Sequence, residues 1–461
     1  MDAMTLVSAW DALVHQLSYC FSQRTARTWH QIVSGWILNR GPATVTNIIR
    51  TLGDLADRHW TVYQKFFYQA SWRLDAMSVQ LLQRVIGPLI REQCPVDPMS
   101  GKPIADLVFD DTTLGRYGRH VAYASWYKDA SASGPGHQGT VIHWAHNWLI
   151  GAVVLRLKSW PMLRWVLPAM FTLYRKRPDC DAEHPFQTRQ EMAGEMAQAA
   201  TEALPDVQWR FSGDGQYAAR PVVTQLPPNA NRVSRIRKDA AIYEVPQPPK
   251  KRPRGQNKQG RPPKKGKRMP TPLALARRRK NGWKTITAFK QSRKVQRLVL
   301  GITCQWYHVC KDVPVRLVIV RDPTGREDDD FFFCTDASVS EAEIVQRYYD
   351  RWGIEDAIFE GKEYLGFEDT RGWCPKTVLR QAPLAMILLT LVKVWYARWA
   401  PQMPSLLPKT MPWYEHKSHP SFGDMLSALR NVLWQHRISP NSMFLPRVYK
   451  IFKTVSFALT G

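Results

Sequence analysis

The sequence predicts a mixed α/β fold. A strand-and-helix core carrying a β-rich insertion lies between an N-terminal helical domain and C-terminal helices. Three observations carry this expectation. Apolar residues recur at three- and four-residue spacing through the first hundred positions. From about residue 103 that pattern gives way to short apolar runs bounded by turn residues. After a long basic interruption the strand–helix alternation returns, and the chain ends in helical pattern.

Residues 1–98 read as the helical domain. Trp10, Leu13, Leu17 and Phe21 mark one apolar stripe; Ile32, Trp36 and Ile37 mark a second; Tyr63, Phe66 and Phe67 mark a third. Gly41-Pro42 interrupts the periodicity, since proline lacks the amide donor a continuing helix needs. A helix, a turn over 39–42 and a helix from Thr44 suit a helix-turn-helix DNA reader, and also an ordinary bundle joint, which is the commoner use.

Residues 99–219 read as the first part of the core. A strand over 104–109 ends in Asp110-Asp111, with strands at 121–127 and 141–155, a helix over 188–204 and a strand over 207–211 ending near Asp214. The second part, 311–375, holds strands at 315–321 and 330–335 and one long helix over 340–365. Ser340 followed by Glu343 is a capping box for that helix. Residues 376–461 read as a C-terminal helical region.

Between the two parts lies the insertion, 220–310, with strands expected at 232–243 and 295–303. Residues 215–310 hold 24 Lys and Arg against Asp239 and Glu244, a local charge of +22 out of +25 for the whole chain. Within it, 249–268 has ten basic residues, four prolines and no acid, so 247–272 is expected to be a disordered or extended loop. A pI near 9.9 points to a polyanionic partner, nucleic acid before anionic membrane. The seven cysteines form no C-x-x-C pair, which argues against a structural zinc site and for reduced thiols. The N-terminus lacks signal-peptide character. The apolar run 382–392 is about half the roughly 20 residues that span a bilayer, so it reads as a core helix. A cytoplasmic, nucleoid-associated protein with no membrane partner is the expectation.

The 340–365 helix carries unusual charge. At about 100° per residue, Tyr348 at 0° puts Arg351 at about 300°, Glu355 at about 340° and Lys362 at about 320°. Three charged groups thus share an arc with Trp352, Ile358 and Phe359. An Arg351–Glu355 ion pair with Lys362 snorkelling explains this as well as a functional cleft does. Two strand ends supply further carboxylates, in Asp110-Asp111-Thr112-Thr113 and at Asp214. A lone strand-end Asp is usually a turn residue. Three carboxylates meeting at strand ends suit two Mg²⁺ ions, which take oxygen ligands and leave positions open for phosphate.

Tyr348, Arg351, Glu355 and Lys362 fit, without gap or substitution, a signature of Tyr, two residues, Arg, three residues, Glu, six residues, Lys. The chain thereby resembles the bacterial insertion-sequence transposases of the DDE group, in the branch marked by Tyr, Arg, Glu and Lys. The resemblance covers roughly 100–375. It implies an RNase H-like core, with the β-rich insertion in the 141-residue interval from Asp214 to Glu355. It implies cut-and-paste transposition: nicking of the element end, hairpin formation and strand transfer. It implies Asp111, Asp214 and Glu355 as catalytic ligands of two Mg²⁺ ions, replaceable by Mn²⁺. The Thr that follows Asp111 favours it over Asp110. Tyr348, Arg351 and Lys362 would grip phosphates near the cleaved end. The partners implied are double-stranded terminal inverted repeats and target DNA, held by a homodimer. Trp283 is a candidate platform for a flipped base, although an ordinary core Trp is the more economical reading.

In the basic loop, 259–265 resembles an AT-hook, with Gln259 where the motif's leading Arg would be. Arg254, Arg261, Lys264 and Lys265 are its candidate DNA contacts, in an A·T-rich minor groove or, more economically, by non-specific phosphate binding. The competing readings are an RNase H-like nuclease or resolvase without strand transfer, and a non-catalytic DNA-binding protein derived from a transposase.

Overall fold

In a computed structural model, the structure describes residues 3–129, 133, 139–226, 230–246, 264–291, 293–408, 417 and 419–438. Helices come first: α1 (Ala3–His15), α2 (Gln23–Leu38), α3 (Val45–Leu52), α4 (Trp60–Tyr68), α5 (Leu74–Gln80) and α6 (Gly87–Gln93). Ser22 and Thr44 cap α2 and α3 by accepting the amides of Thr25 and Asn47. The turn between α2 and α3 falls where Gly41-Pro42 predicts it. At Gly35 an added Cβ would lie 2.7 Å from the Ile48 carbonyl oxygen, so only glycine lets these two helices approach as they do.

The core strands are β1 (Ile104–Gly115), β2 (Ser125–Lys128), β3 (Ile142–Leu157) and β4 (Trp160–Tyr174), followed by α7 (Arg189–Ala203) and β5 (Gln208–Gly213). The insertion brings α8 (Arg220–Gln225), β6 (Asn231–Arg235), α9 (Pro272–Arg278), β7 (Lys284–Lys290), β8 (Arg293–Gln305) and α10 (Tyr307–Cys310). Then come β9 (Pro314–Arg321), β10 (Asp330–Cys334), α11 (Glu341–Arg351), α12 (Gly353–Leu365), α13 (Pro375–Trp399) and α14 (Phe422–Ile438). Among the described residues the strands form one mixed sheet in the order β2-β3-β1-β5-β6-β10-β9-β8-β7, with β4 also paired to β3. β1, β5 and β6 run parallel and their neighbours antiparallel. This is an RNase H-like mixed α/β core.

The strands differ from the sequence pattern in several places. β1 does not stop at Asp110-Asp111 but continues to Gly115, paired throughout with β3. Within 121–127 only the last residues pair, and Tyr123 turns the chain at φ 60. β4 escaped the sequence reading because Pro161 and Pro168 look incompatible with a strand; Pro168 sits at a register shift, where a missing donor is tolerated. The insertion builds no sheet of its own, since β7 and β8 extend the central sheet through β9.

The Ser340 cap is present, accepting the Glu343 amide. Glu343 turns instead to Arg210, at 3.1 Å. The long helix is interrupted at Trp352, which separates α11 from α12. Helix α13 is 25 residues long, more than the apolar run suggested. The span Pro375–Gln402 is long and apolar enough to cross a bilayer, but 89% of its most apolar window is buried inside the protein.

One hydrophobic cluster runs from α1 through the core strands to α13 and α14. The N-terminal helices therefore share a core with the sheet. Trp36, fully buried, donates its indole N–H to the Leu365 carbonyl at 2.9 Å, and the Ala43 amide donates to Asp369 at 2.9 Å. These contacts fix the α2–α3 turn against the end of α12. We expect Trp36→Ala to lower unfolding free energy by about 3–5 kcal/mol, measured by urea denaturation, with the single cooperative transition retained.

Candidate functional site

The two faces of β1 receive different charges. Successive side chains on a strand point to opposite sides, so Asp106 and Asp110 share one face and Asp111 takes the other. Helix α7 packs over the Asp111 face; α11 and α12 pack over the Asp110 face.

On the Asp111 face the carboxylate is fully engaged. One oxygen accepts from the Tyr217 hydroxyl at 2.8 Å and from Gln216 at 3.2 Å. The other accepts from Asn147 at 2.9 Å and lies 3.7 Å from Arg189, the first residue of α7. Burial raises the Tyr217 pKa, and the Asp111 charge raises it further, so this phenol stays a donor.

On the opposite face, Arg210 and Arg347 hold Asp106 at 2.6 and 3.4 Å. One helical turn beyond Arg347, Arg351 lies 3.3 Å from Asp110 and 3.3 Å from Glu355. Asp214 follows β5, one residue past the last paired position, Phe109 opposite Gly213, so Asp110 and Asp214 succeed each other on neighbouring parallel strands. Burial pushes the Asp110 pKa up to about 7; Arg351 opposes this, while Asp214, Glu355 and Asp111 add to it. Burial disfavours the Arg351 charge too, but Tyr348, Asp110, Glu355 and Asp214 together hold its pKa above the ordinary value. Arg351 thus pairs with both Asp110 and Glu355, and Asp214 and Asp111 add their negative charge to the same neighbourhood.

Among the described residues, no three His, Cys, Asp or Glu side chains are already gathered as a metal cage. The guanidinium of Arg351 occupies the space between Asp110 and Glu355. One Asp214 oxygen is spent on capping its own turn, accepting the amides of Gln216 and Tyr217. The donor set is nonetheless all oxygen, and Asp110 carries a carboxyl whose ionised form is under-compensated. Such a set fits a hard divalent cation.

The remaining candidates lie as follows. Tyr348 is 3% exposed and stacks on Phe332 with ring centroids 4.1 Å apart. Its ring is core, so the expected phosphate grip is not presented at the surface. Lys362 pairs with Glu368 at 2.5 Å and reaches the Thr113 carbonyl at 3.5 Å, two residues past Asp111 on β1. Trp283 is half-buried against a cluster that the insertion shares with β9 and β10, with Arg321 4.4 Å from its ring centroid. Lys264 offers its carbonyl to Gln305, and the Lys265 ammonium lies over two tyrosine rings. Arg254 and Arg261 lie outside the described residues.

Sequence reasoning missed Arg189, Tyr217, Asn147 and Gln216, the partners of Asp111. It also missed the support of the loop after β1. There Arg116 donates to His146 Nδ1 at 2.8 Å and to the Glu368 carbonyl at 2.9 Å, tying that loop to the partner of Lys362. No local pattern marks these residues, because their partners are 30 to 252 positions away.

Residues 16–310 match the family described as DDE superfamily endonuclease. The match includes Asp110, Asp111 and Asp214 and ends before Glu355. No curated protein matches the chain.

His146 gives a pH test of the loop. Its Nδ1 accepts from Arg116, so Nε2 carries the proton and donates to the Ala122 carbonyl at 2.8 Å. Burial lowers its pKa from 6.5 to about 4, and the Arg116 charge adds to that. The unfolded chain therefore binds this proton below pH 6.5, and the folded chain only near pH 4. Stability present at neutral pH is lost as pH falls through that window, by about 3 kcal/mol at most. We expect the stability advantage of wild type over His146→Gln, read from urea midpoints, to shrink between pH 7 and pH 4.5.

Proposed function

We propose that this chain, which belongs to the DDE superfamily endonucleases, is a DNA transposase that cuts DNA and joins the freed end to a target. The observation that carries this reading is the grouping of Asp110, Asp214 and Glu355 around Arg351. The exact fit of Tyr348, Arg351, Glu355 and Lys362 to the transposase signature supports joining as well as cutting.

In this reading Asp110, rather than Asp111, is the first metal ligand, with Asp214 and Glu355. Asp110 shares Arg351 with Glu355 and gives its other oxygen to the Asp111 amide, whereas Asp111 is held by Tyr217, Gln216 and Asn147 on the opposite face. Two Mg²⁺ ions, or Mn²⁺, held there would activate the attacking water or 3′-hydroxyl and stabilise the leaving oxygen of an in-line displacement. Arg351 exchanges its carboxylate partners for non-bridging phosphate oxygens, which a guanidinium grips with two parallel N–H groups. Lys362 adds a point charge on the same phosphate track. Tyr348 acts from beneath as a positioning residue, fixing α11 on Phe332 so that Arg351 points at β1. Asp111 positions in turn, joining the start of α7 to the turn after Asp214 through Arg189, Gln216 and Tyr217. The end-nicking and hairpin steps, the terminal inverted repeats and the homodimer belong to the same proposal.

Variants separate these assignments. Asp110→Asn, Asp214→Asn and Glu355→Gln should each slow metal-dependent cleavage of duplex DNA by about 10³-fold, the loss of about 4 kcal/mol of transition-state stabilisation, while leaving duplex binding intact. Asp111→Asn should keep cleavage within about tenfold and cost about 1–3 kcal/mol of stability. If Asp111→Asn alone abolishes cleavage in a folded protein, the assignment of Asp110 is wrong. A pre-cut end offered with supercoiled target distinguishes transposase from nuclease: joined products are expected, and cleavage without joining refutes the transposase reading.

A further inference from the structure

A second basic site lies outside the carboxylate centre. A cavity of about 490 Å³ opens on the insertion, lined in part by Tyr243, Lys265, Tyr307, His308 and Lys311, with Trp306 largely buried in its wall. The ammonium of Lys265 lies 4.5 Å from the centroid of the Tyr307 ring, and that of Lys311 lies 5.0 Å from it. Lys265 also lies 5.3 Å from the Tyr243 ring. Among the described residues neither lysine has a carboxylate within ion-pair distance. The acid in the lining, Asp239, is committed to Arg237 through two hydrogen bonds of 3.0 and 2.9 Å.

Two ammonium groups drawn over one ring repel each other, and an aromatic face offsets only part of that cost. The backbone nonetheless holds them there. Lys311 sits at φ 53, in the left-handed region that favours glycine, directly after α10. The strap bearing Lys265 is stitched down: the Glu244 amide donates to the Lys267 carbonyl, and Gln305 donates to the Lys264 carbonyl. At Gly266 a Cβ would come within 2.1 Å of the Glu244 carbonyl oxygen, so only glycine lets the strap lie this close. Tyr243 is paired in both directions with Gln305, at 2.9 and 2.7 Å. The site is therefore cationic, walled by aromatic faces and set on a constrained backbone.

We infer that this cavity binds a phosphate of the DNA substrate away from the cleaved bond, with Lys265 and Lys311 on the phosphate and Tyr243 and Tyr307 against the adjoining sugar or base. Stacking on aromatic faces is tolerant of sequence, so the contact anchors DNA without reading it. The inference rests on the reading of the chain as a DNA-processing enzyme.

The test uses the full chain and a fluorescent 40-base-pair duplex carrying 5-iododeoxyuridine. Binding is measured across a salt series, and photo-cross-links are mapped by peptide. The double variant Lys265→Ala, Lys311→Ala should lower the slope of log affinity against log salt by about 1–2. It should also lose cross-links to Tyr243 and Tyr307. Lys265→Arg, Lys311→Arg should restore both, which shows that charge and not folding is responsible. An unchanged slope together with no cross-link at either tyrosine in wild type overturns the site. Calorimetric binding of inorganic phosphate by wild type, with the DNA slope unaffected by the double variant, would mark a free-phosphate site and overturn the DNA assignment. A wild type that binds no duplex refutes the functional reading itself, whereas normal duplex binding in the double variant refutes only this site.

Discussion

Two arginines one helical turn apart, Arg347 and Arg351, reach from α11 to two aspartates on one face of β1, Asp106 and Asp110. The four groups are largely buried, and desolvating charges offsets most of the attraction between them. The pairs therefore contribute little net stability. Their effect is on register: removing Asp106 leaves the buried Arg347 without its carboxylate, at about 3–5 kcal/mol. Helix α11 is thereby held to β1 in one alignment, and Glu355 is delivered beside Asp110 and Asp214.

The break at Trp352 belongs to the same constraint. It separates α11, whose Tyr348 and Tyr349 pack under Phe332, from α12, whose far end meets the N-terminal helices at Trp36 and Ala43. The acidic centre is thus clamped at both ends. Tyr348 anchors one side in the core, and the pairing of Lys362 with Glu368 closes the other. Arg351, in the middle, is paired with two carboxylates, Asp110 and Glu355, while the Tyr348 anchor is independent of its charge. The hydrogen-bonding ends of its guanidinium face Asp110 and Glu355, while its Nε is buried without a partner.

The chain's excess positive charge has a different distribution from its chemistry. Most of it falls in the insertion, whose strands β7 and β8 extend the central sheet rather than forming a separate one. A continuous sheet links the acidic centre to the described basic residues of β7 and β8, among them Lys284, Lys290, Arg293 and Lys294.

Composition, periodicity and spacing were enough to determine the class of fold, the basic insertion, the break at Gly41-Pro42, the helix after Ser340 and the i,i+4 relation of Arg351 to Glu355. Each depends on neighbours a few residues apart, and such patterns survive in a linear string. The choice between Asp110 and Asp111 is not local. Leu107, Val108 and Phe109 are all buried, so both faces of β1 are apolar and the alternation that would separate the two aspartates is hidden. Only the packing of α7 on one face and of α11 with α12 on the other gives the adjacent carboxylates different surroundings. The fate of Tyr348 was decided in the same way: a helical wheel puts it beside Arg351, but Phe332, contributed by a separate strand, makes it core. The sequence by itself determined which residue types are present and how they are spaced along each element. Tertiary structure decided which face each one meets, because burial and charge pairing act between segments that the chain order keeps far apart.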